Sequence, residues 1–144
     1  METIKIERIC KPGETNVNRL TYDLVSYNKA LEKFKECLSC GYGIGVELFL
    51  NRHAYPEIIR KNFPFIDKTN SCGKIIDITD EYIVIEPKNE EILNELNKYI
   101  SDDNIYAYMR FTGDILDKTV FIREIITFDI MCGRRFEFIE KTGE

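Results

Sequence analysis

The stretch from Lys74 to Pro87, KIIDITDEYIVIEP, constrains the fold more than any other part of this chain. Two runs rich in isoleucine and valine flank Asp80–Glu81, a pattern that predicts a β-hairpin with its turn at that pair. In this register Thr79 pairs with Tyr82, Asp77 with Val84, and Ile75 with Glu86. A slip of one residue would turn the isoleucines of the core face towards solvent, so the register should be well specified. The predicted core face holds Ile76, Ile78, Ile83 and Ile85, and the other face holds Ile75, Asp77, Thr79, Tyr82, Val84 and Glu86.

Apolar residues at helical spacing predict two main helices. The first begins after Ser26 as N-cap and ends at Gly41 and Gly43, where glycines stop a helix. The second covers residues 89–100, with Asn89 as N-cap and acidic residues in its first turn, where the helix dipole favours them. A short helix is predicted at 55–63. Further strands are predicted at 3–9, 19–25, 44–50, 104–111, 119–131 (with a bulge near Arg123–Glu124) and 136–140.

Helices and antiparallel hairpins mixed in this order predict a single α+β domain over residues 1–144. We expect a mixed or antiparallel sheet packed by the two main helices and the short helix. A strand–helix–strand arrangement occurs around the first and the last helix. The topology hypothesis is therefore a ferredoxin-like core with an extra C-terminal hairpin.

The sequence favours a cytoplasmic protein with reduced thiols. It has no apolar run of the roughly 18–20 residues that span a membrane. The N-terminal residues METIKIERIC lack the plan of a signal peptide, and the chain contains five cysteines, an odd number. A complete set of disulfides within one chain is therefore impossible, and reduced thiols are the expectation.

Negative charge is concentrated in one segment. Residues 77–103 carry a formal charge of −7, whereas the whole chain carries −5. Direct binding to nucleic acid needs a basic face, so this distribution argues against it and favours a basic protein partner. The acidic residues that we expect on turns and on the outer side of the 89–100 helix include Glu81, Glu91, Glu95, Asp102 and Asp103.

The strand after the acidic helix supplies candidate anchors for such a partner. Alternation along IYAYMRF places Tyr106, Tyr108 and Arg110 on one face, and Tyr and Arg dominate binding hot spots. The alternative is that a helix covers this face and the tyrosines are packing residues. No nucleotide-binding or common hydrolase motif occurs, so we predict a non-enzymatic binding protein without a cofactor. Small acidic chains rich in Asn, Ile and Lys are typical of accessory proteins of phages and mobile elements, including inhibitors of host defence.

A second hypothesis rests on the 74–87 hairpin. Asp77 and Glu86 lie diagonally on its polar face, and Lys88 follows two residues later. Asp followed by Glu-x-Lys on a hairpin resembles the catalytic signature of PD-(D/E)xK nucleases. The resemblance implies that the two carboxylates hold magnesium and that the lysine helps to orient the attacking water.

A third hypothesis concerns Cys37 and Cys40. A CxxC pair followed by glycines can supply two zinc ligands. A redox pair would instead open a helix, where the thiol pKa is lowered. Cys37 also continues the apolar stripe of Phe34 and Leu38. The simplest interpretation is therefore that these cysteines are buried reduced thiols at the end of the helix.

Overall fold

The computed structural model describes residues 2–9, 11–15, 19–40, 43–49 and 65–132. These residues contain strands β1 (Ile4–Ile6), β2 (Thr21–Tyr22), β3 (Ile44–Phe49), β4 (Ser71–Ile78), β5 (Ile83–Pro87), β6 (Ile105–Leu116) and β7 (Thr119–Cys132). They also contain helices α1 (Leu24–Ser39) and α2 (Glu90–Ser101), and a 3₁₀ turn at Lys68–Asn70.

One curled, mixed sheet joins all the strands that the structure describes. Its order is β1-β5-β4-β3-β7-β2, and β6 pairs with β7 outside this path. β7 pairs with three other strands. β6 runs antiparallel along it, β2 pairs in parallel near its first residues, and β3 pairs in parallel near its last residues. α1 packs against β7 and β4, and α2 contacts β1, β5 and β6.

α1 begins three residues earlier than the sequence predicted. Asp23, not Ser26, is the N-cap, and its Oδ2 accepts the backbone N–H of Ser26 at 2.8 Å. The side chain of Ser26 instead connects α1 to β7: its Oγ accepts the N–H of Ile122 at 3.0 Å. The helix buries Tyr27, Ala30, Leu31 and Phe34.

The β4–β5 hairpin forms as predicted near its turn but changes register further along. Asp77 pairs with Val84, as expected; beyond this pair β4 contains a bulge at Ile76. Ile75 consequently pairs with Ile85 and is buried, whereas Ile76 is 42% exposed. The predicted core face was therefore wrong at Ile76, since a bulge turns the following residues to the opposite side.

α2 agrees closely with its prediction. Asn89 is the N-cap and its Oδ1 accepts the N–H of Ile92 at 2.9 Å. Leu93 and Leu96 are buried, and the first turn carries Glu90 and Glu91.

β6 and β7 form a longer hairpin than the sequence indicated. Strand β6 continues to Leu116, through residues 112–116 to which no strand had been assigned, and the turn consists of Asp117 and Lys118. Both turn residues have positive φ, 50° and 65°, as a two-residue type I′ turn requires. The ladder is irregular opposite Arg123, which confirms the predicted bulge there, and again opposite Ile126.

The predicted α+β class is confirmed. The ferredoxin-like core is not, because β7 lies between the two strands that α1 connects and is parallel to both. The predicted short helix at 55–63 and the predicted strand at 136–140 lie outside the described residues. The assignment of all 144 residues to one domain stays a prediction.

Candidate functional site

The acidic side chains of α2 and its neighbouring turns are accessible. Glu81, Glu91, Asp102 and Asp103 are exposed, and Glu95 is half-buried. We call these five residues the acidic surface. Glu91 and Glu95 are one helical turn apart and therefore lie on the same side of α2. This side is partly, not fully, opposite to the side that buries Leu93 and Leu96.

Among the described residues, one salt bridge reaches the acidic surface. The Nη1 of Arg8 donates to the backbone oxygen of Asp103 at 2.9 Å and lies 3.8 Å from its carboxylate. Arg8 follows β1, and Ile6 of β1 pairs with Ile83 at the start of β5, next to the turn that holds Glu81. This contact therefore brings the end of α2 to the same end of the sheet as Glu81.

The proposed Tyr/Arg binding face is not a surface. Arg110 is 2% exposed and Tyr106 is 1% exposed, whereas Tyr108 is half-buried. The rings of Tyr106 and Tyr108 meet edge to face with centroids 5.6 Å apart. The expectation that Tyr106 and Arg110 are available to a partner was wrong, because strand alternation gives the side of a sheet but not whether that side is covered.

Arg110 lies instead at the centre of a buried ionic network. Its Nε donates to Asp129 Oδ2 at 3.1 Å, and its Nη2 donates to Asp129 Oδ1 and, at 3.0 Å, to Glu47 Oε2. The Nη1 donates to the backbone oxygen of Phe65 at 2.8 Å. Glu47 also accepts the N–H of Asp67 at 3.0 Å and the side-chain amide of Asn70 at 3.2 Å.

This network supports a structural role more than a catalytic one. Burial by itself would lower the pKa of Arg110, but hydrogen bonds and charges from Asp129 and Glu47 outweigh burial and raise it. A guanidinium that stays protonated cannot exchange protons at neutral pH, as a general acid or base must. The network instead ties β3, β6 and β7 to the segment 65–70.

The residues of the nuclease hypothesis are only partly brought together. A cavity of about 400 Å³ opens beside the ends of β4 and β5, and its lining includes Glu86 and Lys88 but not Asp77. The bulge makes Lys74 the cross-strand neighbour of Glu86, where the prediction had Ile75. Asp77 Oδ1 accepts the N–H of Ile78 at 2.9 Å. The cavity is lined by Ser71, Gly73, Lys74, Glu86, Pro87 and Lys88.

Cys37 and Cys40 are both exposed, so their predicted burial was wrong. Leu38, four residues after Phe34, continues the stripe that packs on the core, and this turns Cys37 outwards. The thiol of Cys40 lies 3.5 Å from the backbone oxygen of Glu36. Within the described ranges, no group of three or more His, Cys, Asp or Glu side chains could hold a metal ion.

Searches for relatives return nothing that assigns a function. No protein-family model matches the chain, and neither a curated protein nor a solved structure matches it. No helix in the described part of the chain is long and apolar enough to cross a membrane.

Sequence reasoning missed both the buried network and a cluster of exposed apolar residues at the β6–β7 turn. Glu47, Arg110 and Asp129 come from three separate strands, so their spacing in the sequence carries no signal of their contact. For the turn, the signal was ILDKTVF, in which an apolar pair precedes Asp117–Lys118 and a second pair follows after Thr119. Asp-Lys is not one of the glycine-containing pairs that mark a type I′ turn.

Proposed function

We propose that this protein is a non-enzymatic binding module that recognises a basic protein partner through the acidic surface. The observation that supports it is the exposure of Glu81, Glu91, Asp102 and Asp103. Among the described residues the one salt bridge to them is that of Arg8 with Asp103. Acids that are not paired within their own molecule can pair with the basic side chains of another. Such pairing steers association and fixes orientation.

A charged surface needs an apolar anchor to hold its partner, and Tyr99 of α2 is our candidate. Tyr99 is half-buried, and burial raises the pKa of its hydroxyl, with further contributions from Cys132 and then Glu95. Tyr99 follows Glu95 by one helical turn, so its ring adjoins the acidic surface, and it also packs against the core. This replaces Tyr106 and Arg110, whose burial removes them from that role.

The partner class follows from charge. Proteins that bind nucleic acid carry basic faces, and an acidic surface competes for such a face. An inhibitor of a host-defence nuclease, encoded by a phage or mobile element, would fit this description. We also infer a cytoplasmic location, since Cys37, Cys40, Cys72 and Cys132 are free thiols.

Charge reversal on α2 tests the proposal. We expect the immobilised wild-type chain to retain a basic protein from a lysate of its own host. The immobilised variant Glu91→Lys/Glu95→Lys should retain much less of that protein. Binding to the wild-type chain should weaken as salt is raised, because exposed charges are screened over about 10 Å at 0.1 M salt.

The matched control is Glu32→Lys/Glu36→Lys. These two residues are exposed, four apart on α1, and their reversal changes the net charge by the same amount. The control should bind like the wild type. Equal loss in both variants would show that overall charge, and not the acidic surface, governs retention, and would overturn the proposal.

A magnesium-dependent nuclease is the second candidate, favoured by the cavity that contains Glu86 and Lys88. Cleavage of DNA or RNA that requires magnesium and is abolished by both Glu86→Gln and Lys88→Ala would support it. Glu81→Gln, on the turn outside this cavity, is the control and should leave cleavage unchanged. Absence of cleavage by the wild-type chain would remove this candidate.

A further inference from the structure

The far end of the β6–β7 hairpin collects most of the exposed large apolar side chains. Of the seven such residues among those described, five lie here and are 39–67% exposed. Two begin α1, and three belong to β6 and β7. We call this set the apolar end: Leu24, Val25, Ile115, Leu116 and Phe121.

Backbone contacts hold these two groups next to each other. The N–H of Thr21 donates to the oxygen of Lys118 at 2.9 Å, and that of Asp23 to the oxygen of Val120 at 2.8 Å. The start of α1 is therefore fixed against the hairpin. In the ladder Ile115 pairs with Val120 and Leu116 with Thr119, so the two exposed residues of β6 point to opposite faces.

The same hairpin has an open strand edge. β6 pairs with β7 on one side, and on its other side the described residues place only a bridge from Ile9 to Ala107. Residues 111–116 have no strand neighbour there among the described residues. A strand edge next to apolar side chains is a template for pairing with another strand.

The charges at this end favour a second copy of the same chain as the occupant. Over residues 113–123 two acids, Asp114 and Asp117, balance two bases, Lys118 and Arg123. Asp114 and Arg123 already contact each other at 3.1 Å on the surface. Two copies can thus approach without net repulsion here, whereas their segments 77–103, each of charge −7, would repel each other.

We propose that two copies of this chain associate through the apolar end, with the open edge of β6 pairing antiparallel with the β6 edge of the second copy. Antiparallel pairing of two identical strands about a two-fold axis satisfies both β6 edges at once and closes the contact at two copies. Ile115 and Leu116 then lie beside side chains of the second copy's β6, one on each face of the joined sheet.

Sedimentation equilibrium of the full purified chain over a concentration series tests this. The wild-type chain should shift from the mass of one chain to that of two. Ile115→Lys/Leu116→Lys should raise the dimer dissociation constant at least about tenfold, since it places charges within the interface. Circular dichroism of the variant should match the wild type, and so should thermal unfolding at concentrations where the wild type is monomeric, which separates lost association from lost folding.

Ile76→Lys is the matched control, because Ile76 is an exposed isoleucine outside the apolar end. It should dimerise like the wild type. Hydrogen exchange gives a second readout: amides within 111–116 should become more protected as concentration rises. A wild-type chain that stays monomeric, a control that dissociates equally, or exchange in 111–116 independent of concentration would each overturn the proposal.

Discussion

The guanidinium of Arg110 holds two carboxylates that belong to different strands. All three side chains are at most 2% exposed, so the charges have been taken out of water together. A buried pair of this kind adds little net stability compared with an apolar pair of the same shape. Removing Arg110 should destabilise the fold strongly, because Glu47 and Asp129 then remain buried without their counter-charge.

We therefore expect Arg110→Met to destabilise the fold by about 3–5 kcal/mol. Methionine keeps much of the length of the side chain but leaves Glu47 and Asp129 without the guanidinium that bonds to both. Urea denaturation, with the free energy of unfolding extrapolated to water, measures the loss.

Arg123→Met is the control for this change. Arg123 pairs with Asp114 at 3.1 Å, but these side chains are 65% and 79% exposed. A surface pair contributes at most about 1 kcal/mol, so the control should unfold close to the wild type. If both variants lose the same stability, the buried network does not have the structural role assigned to it.

The two buried thiols, Cys72 and Cys132, should make the stability of the protein depend on pH in alkaline solution. Burial raises the pKa of Cys72 to about 12, from 9.0, and it raises the pKa of Cys132 as well. Above pH 9.0 the unfolded chain loses these protons while the folded chain keeps them, so the unfolded state binds fewer protons. Stability should therefore fall as the pH rises from 9.0 towards about 12.

The variant Cys72→Ala/Cys132→Ala isolates this effect from other groups that titrate in alkali. Its free energy of unfolding should decline less steeply above pH 9.0 than that of the wild type. Cys37→Ala/Cys40→Ala, at exposed positions, should leave the slope unchanged. Parallel curves for the wild type and the buried-thiol variant would contradict the prediction.

For single residues, the sequence predicted the side of a strand on which a side chain lies better than it predicted the burial and the partners of that side chain. Alternation put Tyr106, Tyr108 and Arg110 on one side of a strand, but the partners of Arg110 are 19 and 63 residues away along the chain. No local pattern connects them. The charge of Arg110 suggested exposure, and the tertiary structure overrode it by providing two buried carboxylates.

Among the elements, those governed by local chemistry were predictable. α2 has a capping Asn89, acids in its first turn and a regular apolar stripe, so each signal supports the others. The β4–β5 hairpin was predicted at its turn but not at its bulge, because alternation in sequence assumes an uninterrupted ladder. β6 was predicted too short, since Gly113 and Asp114 resembled loop residues.

Gly113 lies at a point where β6 and β7 approach each other too closely for a side chain. A Cβ at this position would lie 2.2 Å from the backbone oxygen of Phe121, which cannot move without breaking the ladder. We expect Gly113→Ala to destabilise the fold by about 1–3 kcal/mol, the usual cost of overpacking. The measurement is again the free energy of unfolding in urea.

Thr112→Ala is the neighbouring control, because it deletes side-chain atoms from the half-buried Thr112 without bringing a new atom towards β7. It should cost less than Gly113→Ala. If the two variants are equally stable, the close approach of β6 and β7 at Gly113 is not a constraint on the strand pairing.

In the whole molecule, the two proposed interfaces lie near opposite ends of β6. Ile105 begins this strand beside α2, and Leu116 ends it at the apolar end. Twelve residues at about 3.3 Å each make this strand roughly 40 Å long if straight, well beyond the Debye length at physiological salt. Charges on the acidic surface should therefore not affect association at the apolar end.

This separation predicts that the two interfaces act independently. Glu91→Lys/Glu95→Lys should weaken partner binding and leave the dimer dissociation constant unchanged. Ile115→Lys/Leu116→Lys should raise the dimer dissociation constant at least about tenfold and leave the affinity of one chain for one partner unchanged. Changes at sites more than about 10 Å apart with no shared contacts usually add, so the fourfold variant should show both losses and no coupling.

A dimer with two acidic surfaces also binds a clustered partner more tightly than a monomer does, through effective concentration alone. On a surface densely coated with the identified partner, the dimer-breaking variant should thus dissociate faster than the wild type. On a sparsely coated surface the two should dissociate at the same rate. Surface plasmon resonance at two coating densities measures this, and equal rates on both surfaces would show that the dimer does not present two binding sites together.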